Sequence, residues 1–252
     1  MRLKNKIAIV TGGASGFGEG IAIRFAREGC KVVINDINKS GGEAVAKNVR
    51  SNGGEAIFVE GDISTNDGWK FLVSRTLEEY QSFNIVVNNA GFTHKNQSMF
   101  TVPEEDFDRI YSVNVKSLYW SVKNVAPILE NSNGAVMITV ASVAGIRPRP
   151  GLTWYNGSKA AAIITSRSMA VELAPKKIRV NVINPVMGET AMLEDFMGME
   201  DTPENREKFL STIPLGRLAR ASDVANAALY LASDEAELIT GACIEVDGGR
   251  TI

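Results

Sequence analysis

The sequence predicts an α/β fold: a single doubly wound parallel sheet of about seven strands, with helices on both faces and a short helical lid. Three observations predict it. Short β-branched runs recur along the chain and are nearly all apolar, as strands covered on both faces of a parallel sheet must be. Helix-length amphipathic segments fill the gaps between them. No linker, low-complexity tract or solenoid-period repeat breaks the alternation, so residues 1–252 read as one domain.

Taken in order, strands are expected at Ile7–Val10, Val32–Asn35, Ala56–Val59, Ile85–Val87, Val136–Val140, Arg179–Ile183 and Cys243–Val246. Helical patterns run over Gly16–Glu28, Gly41–Ser51, Gly68–Tyr80, Glu104–Leu129, Tyr155–Leu173 and Ser222–Leu231. Pro103 marks a helix start, Gly29 a helix end, and Ser222-Asp223 offers an N-cap. Residues 187–214, rich in Met, Glu and Asp, are too many for a simple connection. Two short helices forming a lid over the sheet are expected there.

Composition narrows the function classes. A net charge of −2 gives no reason to expect nucleic acid or an anionic membrane as partner. No apolar run approaches the length of a bilayer span. The N-terminal run M-R-L-K-N-K-I-A-I-V-T-G-G enters a strand without a signal-peptide core. Cys30 and Cys243 stand alone, which reads as two structural thiols in a cytoplasmic protein. His94 is the only histidine, against a His-based triad or a multi-His metal site, and no metal is expected.

The first strand ends in T-G-G-A-S-G-F-G, which holds Gly12, Ser15, Gly16, Phe17 and Gly18. Glycine there lets backbone approach a pyrophosphate, and the following helix offers unpaired N–H groups to it. Asp36, followed by Ile37, falls at the end of the next strand. A carboxylate there accepts bonds from adenosine ribose hydroxyls and repels a 2′-phosphate, which favours NAD over NADP. Asp62 and Ile63 follow the third strand, where the acid is placed to meet the adenine amino group. Asn88-Asn89-Ala90-Gly91 follows the fourth, either as turn formers or as part of the ligand edge of an open α/β sheet. Asn114, a poor helix former inside a long helical pattern, reads equally as a buried amide satisfying backbone.

Ser142 ends the apolar run that begins with the fifth strand, and Tyr155 and Lys159 lie four residues apart as a helix begins. That spacing puts both side chains on one helix face, one turn apart. A phenol normally ionises near pH ~10. A neighbouring ammonium favours the phenolate and is expected to lower the Tyr155 pKa toward neutral.

Thr11–Gly18, Asp36, Asn88–Gly91, Asn114, Ser142, Tyr155, Lys159 and the run from Asn184-Pro185 to Thr190 together resemble the classical short-chain dehydrogenases/reductases, in order and over essentially the whole chain. The resemblance implies a single Rossmann-type domain, hydride transfer with NAD, a small-molecule substrate and a homotetramer. It implies Tyr155 as general base or acid, Ser142 bonded to the substrate oxygen, and Lys159 lowering the Tyr155 pKa and holding the nicotinamide ribose. Asn114 would position a water that relays the proton. Cofactor contacts carry over to Gly12, Ser15, Gly16, Phe17, Gly18, Asp36, Ile37, Asp62, Ile63, Asn89, Ala90, Gly91, Tyr155, Lys159, Pro185, Gly188 and Thr190. The family commonly has Pro-Gly after the sixth strand; here the glycine stands two residues later, as Gly188.

For the substrate, the loops after the fourth and fifth strands carry His94, Arg147 and Arg149, a set that fits an anion or is simply solvated. Trp154 is placed either to stack on a sugar or aromatic ring or to pack at the helix start. The runs T-H-K-N, G-L-T-W-Y and D-F-M-G-M-E-D-T-P-E-N-R are similar to a subgroup with 4-formylbenzenesulfonate dehydrogenase and sugar or glucose dehydrogenases, which implies an acidic or sugar-like substrate. Oxidation of an aldehyde through its hydrate is the alternative reaction, and an NAD-sensing regulator the non-enzymatic alternative. The Tyr155–Leu173 pattern is apolar on more than one face, as a helix shared between subunits would be.

Overall fold

Strand β1 (Ile7–Thr11) shows how the sheet is built. Ala8 and Val10 join the core on one face of the sheet, Ile7 and Ile9 the core on the other. Side chains alternate along a strand, so one covered on both faces is apolar throughout. The computed structural model describes residues 1–189 and 193–252. One seven-stranded sheet holds β1, β2 (Lys31–Asp36), β3 (Glu55–Glu60), β4 (Ile85–Asn88), β5 (Val136–Val140), β6 (Arg179–Pro185) and β7 (Cys243–Val246). The order is 3-2-1-4-5-6-7, with every pairing parallel.

Helices α1 (Gly16–Arg27), α2 (Lys39–Ser51) and α9 (Ala221–Ala232) cover one face of the sheet. Helices α3 (Asn66–Tyr80), α5 (Ser117–Leu129) and α6 (Thr153–Leu173) cover the other. Phe25 on the first side and Trp69 on the second are fully enclosed; burying a side chain of this size contributes about 1.5–3 kcal/mol. Because β2 and β4 both flank β1, the chain reverses direction across the sheet there. In open parallel sheets that reversal opens a crevice beyond the strand C-termini.

Three sequence expectations change. The single helix expected over Glu104–Leu129 is interrupted: α4 (Glu104–Tyr111) passes through a π-helical turn at Ser112–Lys116 into α5. Asn114 sits in that turn and its amide bonds the Phe92 backbone and Ser158. This side chain competes with regular helix, and the wider turn accommodates it. Helix α9 begins at Ala221 with Arg220 as its N-cap, so Ser222 does not cap it. Asp223 instead folds back to accept from the Arg220 N–H at 2.8 Å. The third change, the direction of the Tyr155 pKa, belongs to the site below.

Residues 187–214 carry two short helices, α7 (Leu193–Met197) and α8 (Pro203–Leu210). The buried residues of α7, Leu193 and Met197, form a small core with Val143, Val186, Met187, Ile213 and Leu218. Among the described residues no helix is long and apolar enough to cross a membrane.

Candidate active site

The turn from β1 into α1 is built by glycine for a steric reason. Gly12 has φ +63° and lies so close to the β4 loop that a Cβ would stand 2.7 Å from the Ala90 Cα. A Cβ on Gly18 would stand 2.1 Å from the Gly12 carbonyl oxygen. The two loops are also sewn together. The Asn89 side-chain amide donates to the carbonyls of Thr11 (2.9 Å) and Gly12 (3.0 Å), and the Thr11 hydroxyl accepts from the Asn89 and Ala90 N–H groups. The Ser15 side chain makes no cap bond at the start of α1, so the free N–H groups of this 12-residue helix face the crevice.

Asp36, at the end of β2, accepts from Ala14 N–H at 3.0 Å and Asn38 N–H at 2.9 Å, which ties the glycine turn to the start of α2. Asp62 accepts from Ser64 N–H at 2.9 Å. Gly12, Ser15, Gly16, Phe17, Asp36, Ile37, Asp62, Ile63, Asn89, Ala90 and Gly91 all line one end of a cleft of about 330 Å³. Gly18 acts from behind this wall, through the contact just described.

Ser142, Tyr155 and Lys159 line the other end. Gly145 makes their meeting possible: a Cβ there would stand 2.7 Å from the Ala160 nitrogen, so the loop that begins at Ser142 lies directly on α6. The Lys159 Nζ donates to the Val140 carbonyl at 3.1 Å and lies 5.7 Å from the centre of the Tyr155 ring. Tyr155 is buried, with Phe196 of α7 edge-on at 5.1 Å. Burial pushes the Tyr155 phenol up to about 12, with Ser142 acting in the opposite direction, and pushes Lys159 down to about 8. The expected lowering of the Tyr155 pKa is therefore reversed in the protein alone. Desolvation of the phenolate outweighs the nearby ammonium, which is itself desolvated.

Asn114 stands behind the cleft. Its Oδ1 accepts from Phe92 N–H at 2.9 Å, and its Nδ2 donates to the Phe92 carbonyl and the Ser158 hydroxyl, both at 2.9 Å. The Lys159 Nζ and Asn114 Oδ1 lie 3.3 and 3.5 Å from the point a Gly91 Cβ would occupy. Glycine thus keeps a small space open between the two polar groups.

The remaining candidates divide. Pro185 and Gly188 line the cleft, and a Cβ on Gly188 would stand 2.4 Å from Phe17, so the displaced glycine serves close packing of the loop on α1. Thr190 lies outside the described residues. Arg147 and Arg149 reach the cleft, whereas His94 and Trp154 do not. His94 is buried, with Nδ1 2.8 Å from the Lys95 carbonyl. Trp154 meets Phe107 edge-on at 5.4 Å, which is packing at the helix start. Arg250, Phe196, Met187, Leu152, Phe92 and Arg109 also line the cleft and were missed from the sequence. Asp247-Gly248-Gly249 was the available signal for Arg250, since it marks a turn before that residue.

These groups fit a nicotinamide dinucleotide: a glycine cradle that any Cβ would fill, a helix N-terminus for phosphate, and a carboxylate at the end of β2. A family model described as enoyl-(acyl carrier protein) reductase matches residues 12–251. The chain is 48% identical over 252 residues to 4-formylbenzenesulfonate dehydrogenase TsaC1/TsaC2 of Comamonas testosteroni, covering 100% of both chains. It is 37% identical to 7alpha-hydroxysteroid dehydrogenase of Escherichia coli, over 99% of this chain and 95% of that one. A crystal structure of 3-ketoacyl-(acyl-carrier-protein) reductase from Brucella melitensis complexed with NADH superposes with a TM-score of 0.92 at 43% identity, covering 99% and 100% of the two chains. With the parallel seven-stranded sheet, the glycine turn and the Tyr155–Lys159 pair in one cleft, these matches place the chain in the short-chain dehydrogenase/reductase family of oxidoreductases.

Proposed function

We propose that the protein is an NAD-dependent dehydrogenase acting on a small alcohol or carbonyl substrate, with Tyr155 as general acid and base. The observation that carries this reading is the shared cleft: Ser142, Tyr155 and Lys159 close one end, and the glycine turn and Asp36 form the other. When bound, the nicotinamide accepts or supplies the hydride.

The chain's own residues handle the oxygen and its proton. Burial keeps the Tyr155 phenol protonated at neutral pH, the form that donates to a carbonyl oxygen during reduction. In the oxidative direction the phenolate is stabilised by Lys159 and by the positive charge of oxidised nicotinamide, and it takes the alcohol proton. Ser142 hydrogen-bonds the substrate oxygen and fixes it against Tyr155. Lys159 holds the nicotinamide ribose, and Asn114 helps to position a relay water beside Gly91. Asp36 selects NAD by accepting from the ribose hydroxyls and repelling a 2′-phosphate. Pro185 and Gly188 border the nicotinamide.

A second reaction has one observation in its favour, because the name of the 48% identical relative specifies a formyl substrate. The hydrate of an aldehyde presents the same hydroxyl to Tyr155, and its oxidation yields the acid. The substrate class we favour is a small acidic molecule, in keeping with the arginines in the cleft. Exposed Ile164 and Val171 on α6 and Tyr119 on α5 suit burial in a homotetramer. The isolated thiols suit the cytoplasm.

The test is a panel of alcohols, sugars and acidic aldehydes followed by NADH absorbance, with NADP as control. NAD-linked turnover that Tyr155→Phe abolishes is expected. Full turnover in that variant would remove Tyr155 from the mechanism.

A further inference from the structure

Arg250 is only 9% exposed and lines the cleft. Its Nη1 is buried and has no hydrogen-bond partner among the described residues. Asp247, the acid in the same turn, spends its carboxylate on Gly249 N–H (2.9 Å), Thr251 N–H (2.8 Å) and the Thr251 hydroxyl (2.7 Å). Arg147 holds the turn in place by donating to the Arg250 carbonyl at 2.5 Å. Arg149 stacks 4.8 Å from the Phe209 ring centre and reaches toward the Met187 sulfur.

Apart from Arg109, which stacks on Phe92, three arginines thus line one cleft together, and none of the three is in an ion pair among the described residues. Their crowding shows in their acidity: burial first, and then repulsion from Arg250, brings Arg149 down to about 10; Arg250 is lowered by burial and by Arg147. Cations gathered without a counter-ion in a half-dry site are costly, and an anion offsets that cost. Leu152, Phe196 and Met187 line the same cleft as an apolar wall, with Phe196 against Tyr155.

We propose that Arg250, together with Arg147 and Arg149, binds an anionic group, sulfonate or carboxylate, carried by an aromatic substrate whose ring lies on Leu152 and Phe196. The proposal rests on the reading of the Tyr155 end as the substrate site. The planar forks of the arginines match the oxygen pairs of such acids.

The test is calorimetric titration of the cofactor-free enzyme with benzenesulfonate and with its neutral isostere benzenesulfonamide. It needs no turnover, so it stands apart from the Tyr155 mechanism. Wild type and Tyr155→Phe are expected to bind benzenesulfonate alike, about tenfold or more tightly than the sulfonamide. Arg250→Gln loses that preference, Arg250→Lys keeps part of it, and NAD affinity stays within about twofold in both. Benzoate in place of benzenesulfonate shows which acid is preferred. Should Arg250→Gln fail to fold, Arg149→Gln carries the test, with the same loss expected. Equal binding of the sulfonamide, unchanged benzenesulfonate affinity in the folded variants, or a tenfold fall in NAD affinity overturns the proposal; the last would assign the arginines to the cofactor phosphates.

Discussion

The Lys159 ammonium stands 5.7 Å from the centre of the Tyr155 ring, anchored by its bond to the Val140 carbonyl. Both side chains are buried, and burial moves their proton affinities in opposite directions: Lys159 from 10.5 to about 8, Tyr155 from 10.0 to about 12. Below pH 8 both the folded and unfolded states hold the Lys159 proton, and the cost of the buried charge is felt in full. From about pH 8 to 10.5 the unfolded state binds more protons, so stability from this residue rises with pH. From pH 10 to about 12 the folded state holds the Tyr155 proton longer, and stability falls. Lys159→Met should therefore stabilise the ligand-free protein at pH 7 by about 2 kcal/mol, after allowing for the lost bond to Val140. The gain should shrink toward pH 10, as read by urea unfolding at several pH values.

Tyr155→Phe keeps the ring on Phe196 and removes only the hydroxyl. Turnover should fall by about 10²–10⁴-fold, the usual worth of a positioned acid or base, while NAD binding measured by fluorescence persists.

Gly18→Ala places a methyl group where the Gly12 carbonyl oxygen stands, 2.1 Å from the ideal Cβ. The β1–α1 turn has to move, and with it the wall of the cleft that Gly12 and Gly16 form. We expect a fall in NAD affinity of at least about tenfold, together with a loss of about 1–3 kcal/mol in stability. Calorimetric titration and denaturant unfolding measure the two effects separately.

Gly91→Ala fills the space between the Lys159 Nζ and the Asn114 Oδ1. Its effect should fall on kcat more than on stability, because the contacts of 3.3 and 3.5 Å are tight without being a clash. Asn114→Ala is the contrasting variant. It leaves the Phe92 N–H and carbonyl without their partner and should cost about 2–3 kcal/mol in unfolding measurements.

Asp36→Ala removes the carboxylate from the glycine-turn end of the cleft. Discrimination between NAD and NADP, expressed as a ratio of kcat/KM values, should narrow by about tenfold or more. Because Asp36 also accepts from Ala14 and Asn38, part of the NAD affinity is lost too.

Much of the site was legible because its signals are local. Strand cores announce themselves as apolar β-branched runs, and their order along the chain carries the glycine turn and Asp36 to adjacent strand ends. Tyr155 and Lys159 share a helix face because the helical period is a property of neighbouring residues. The direction of Trp154 was not legible: both a ligand ring and Phe107 fit its position, and the packing of α4 against α6 chose Phe107.

The sequence by itself thus determined the alternation of strands and helices, the glycine cradle and the spacing of the Tyr155–Lys159 pair. Tertiary structure decided the rest, because those outcomes depend on residues far apart in the chain. Desolvation by the surrounding protein, with Phe196 of α7 against the ring, sets the direction of the Tyr155 pKa shift. Phe92 and Asn114, 22 positions apart, make the π-helical turn useful. Arg147 and Arg250, 103 positions apart, become neighbours only when the sheet brings the segment after β7 back to the cleft.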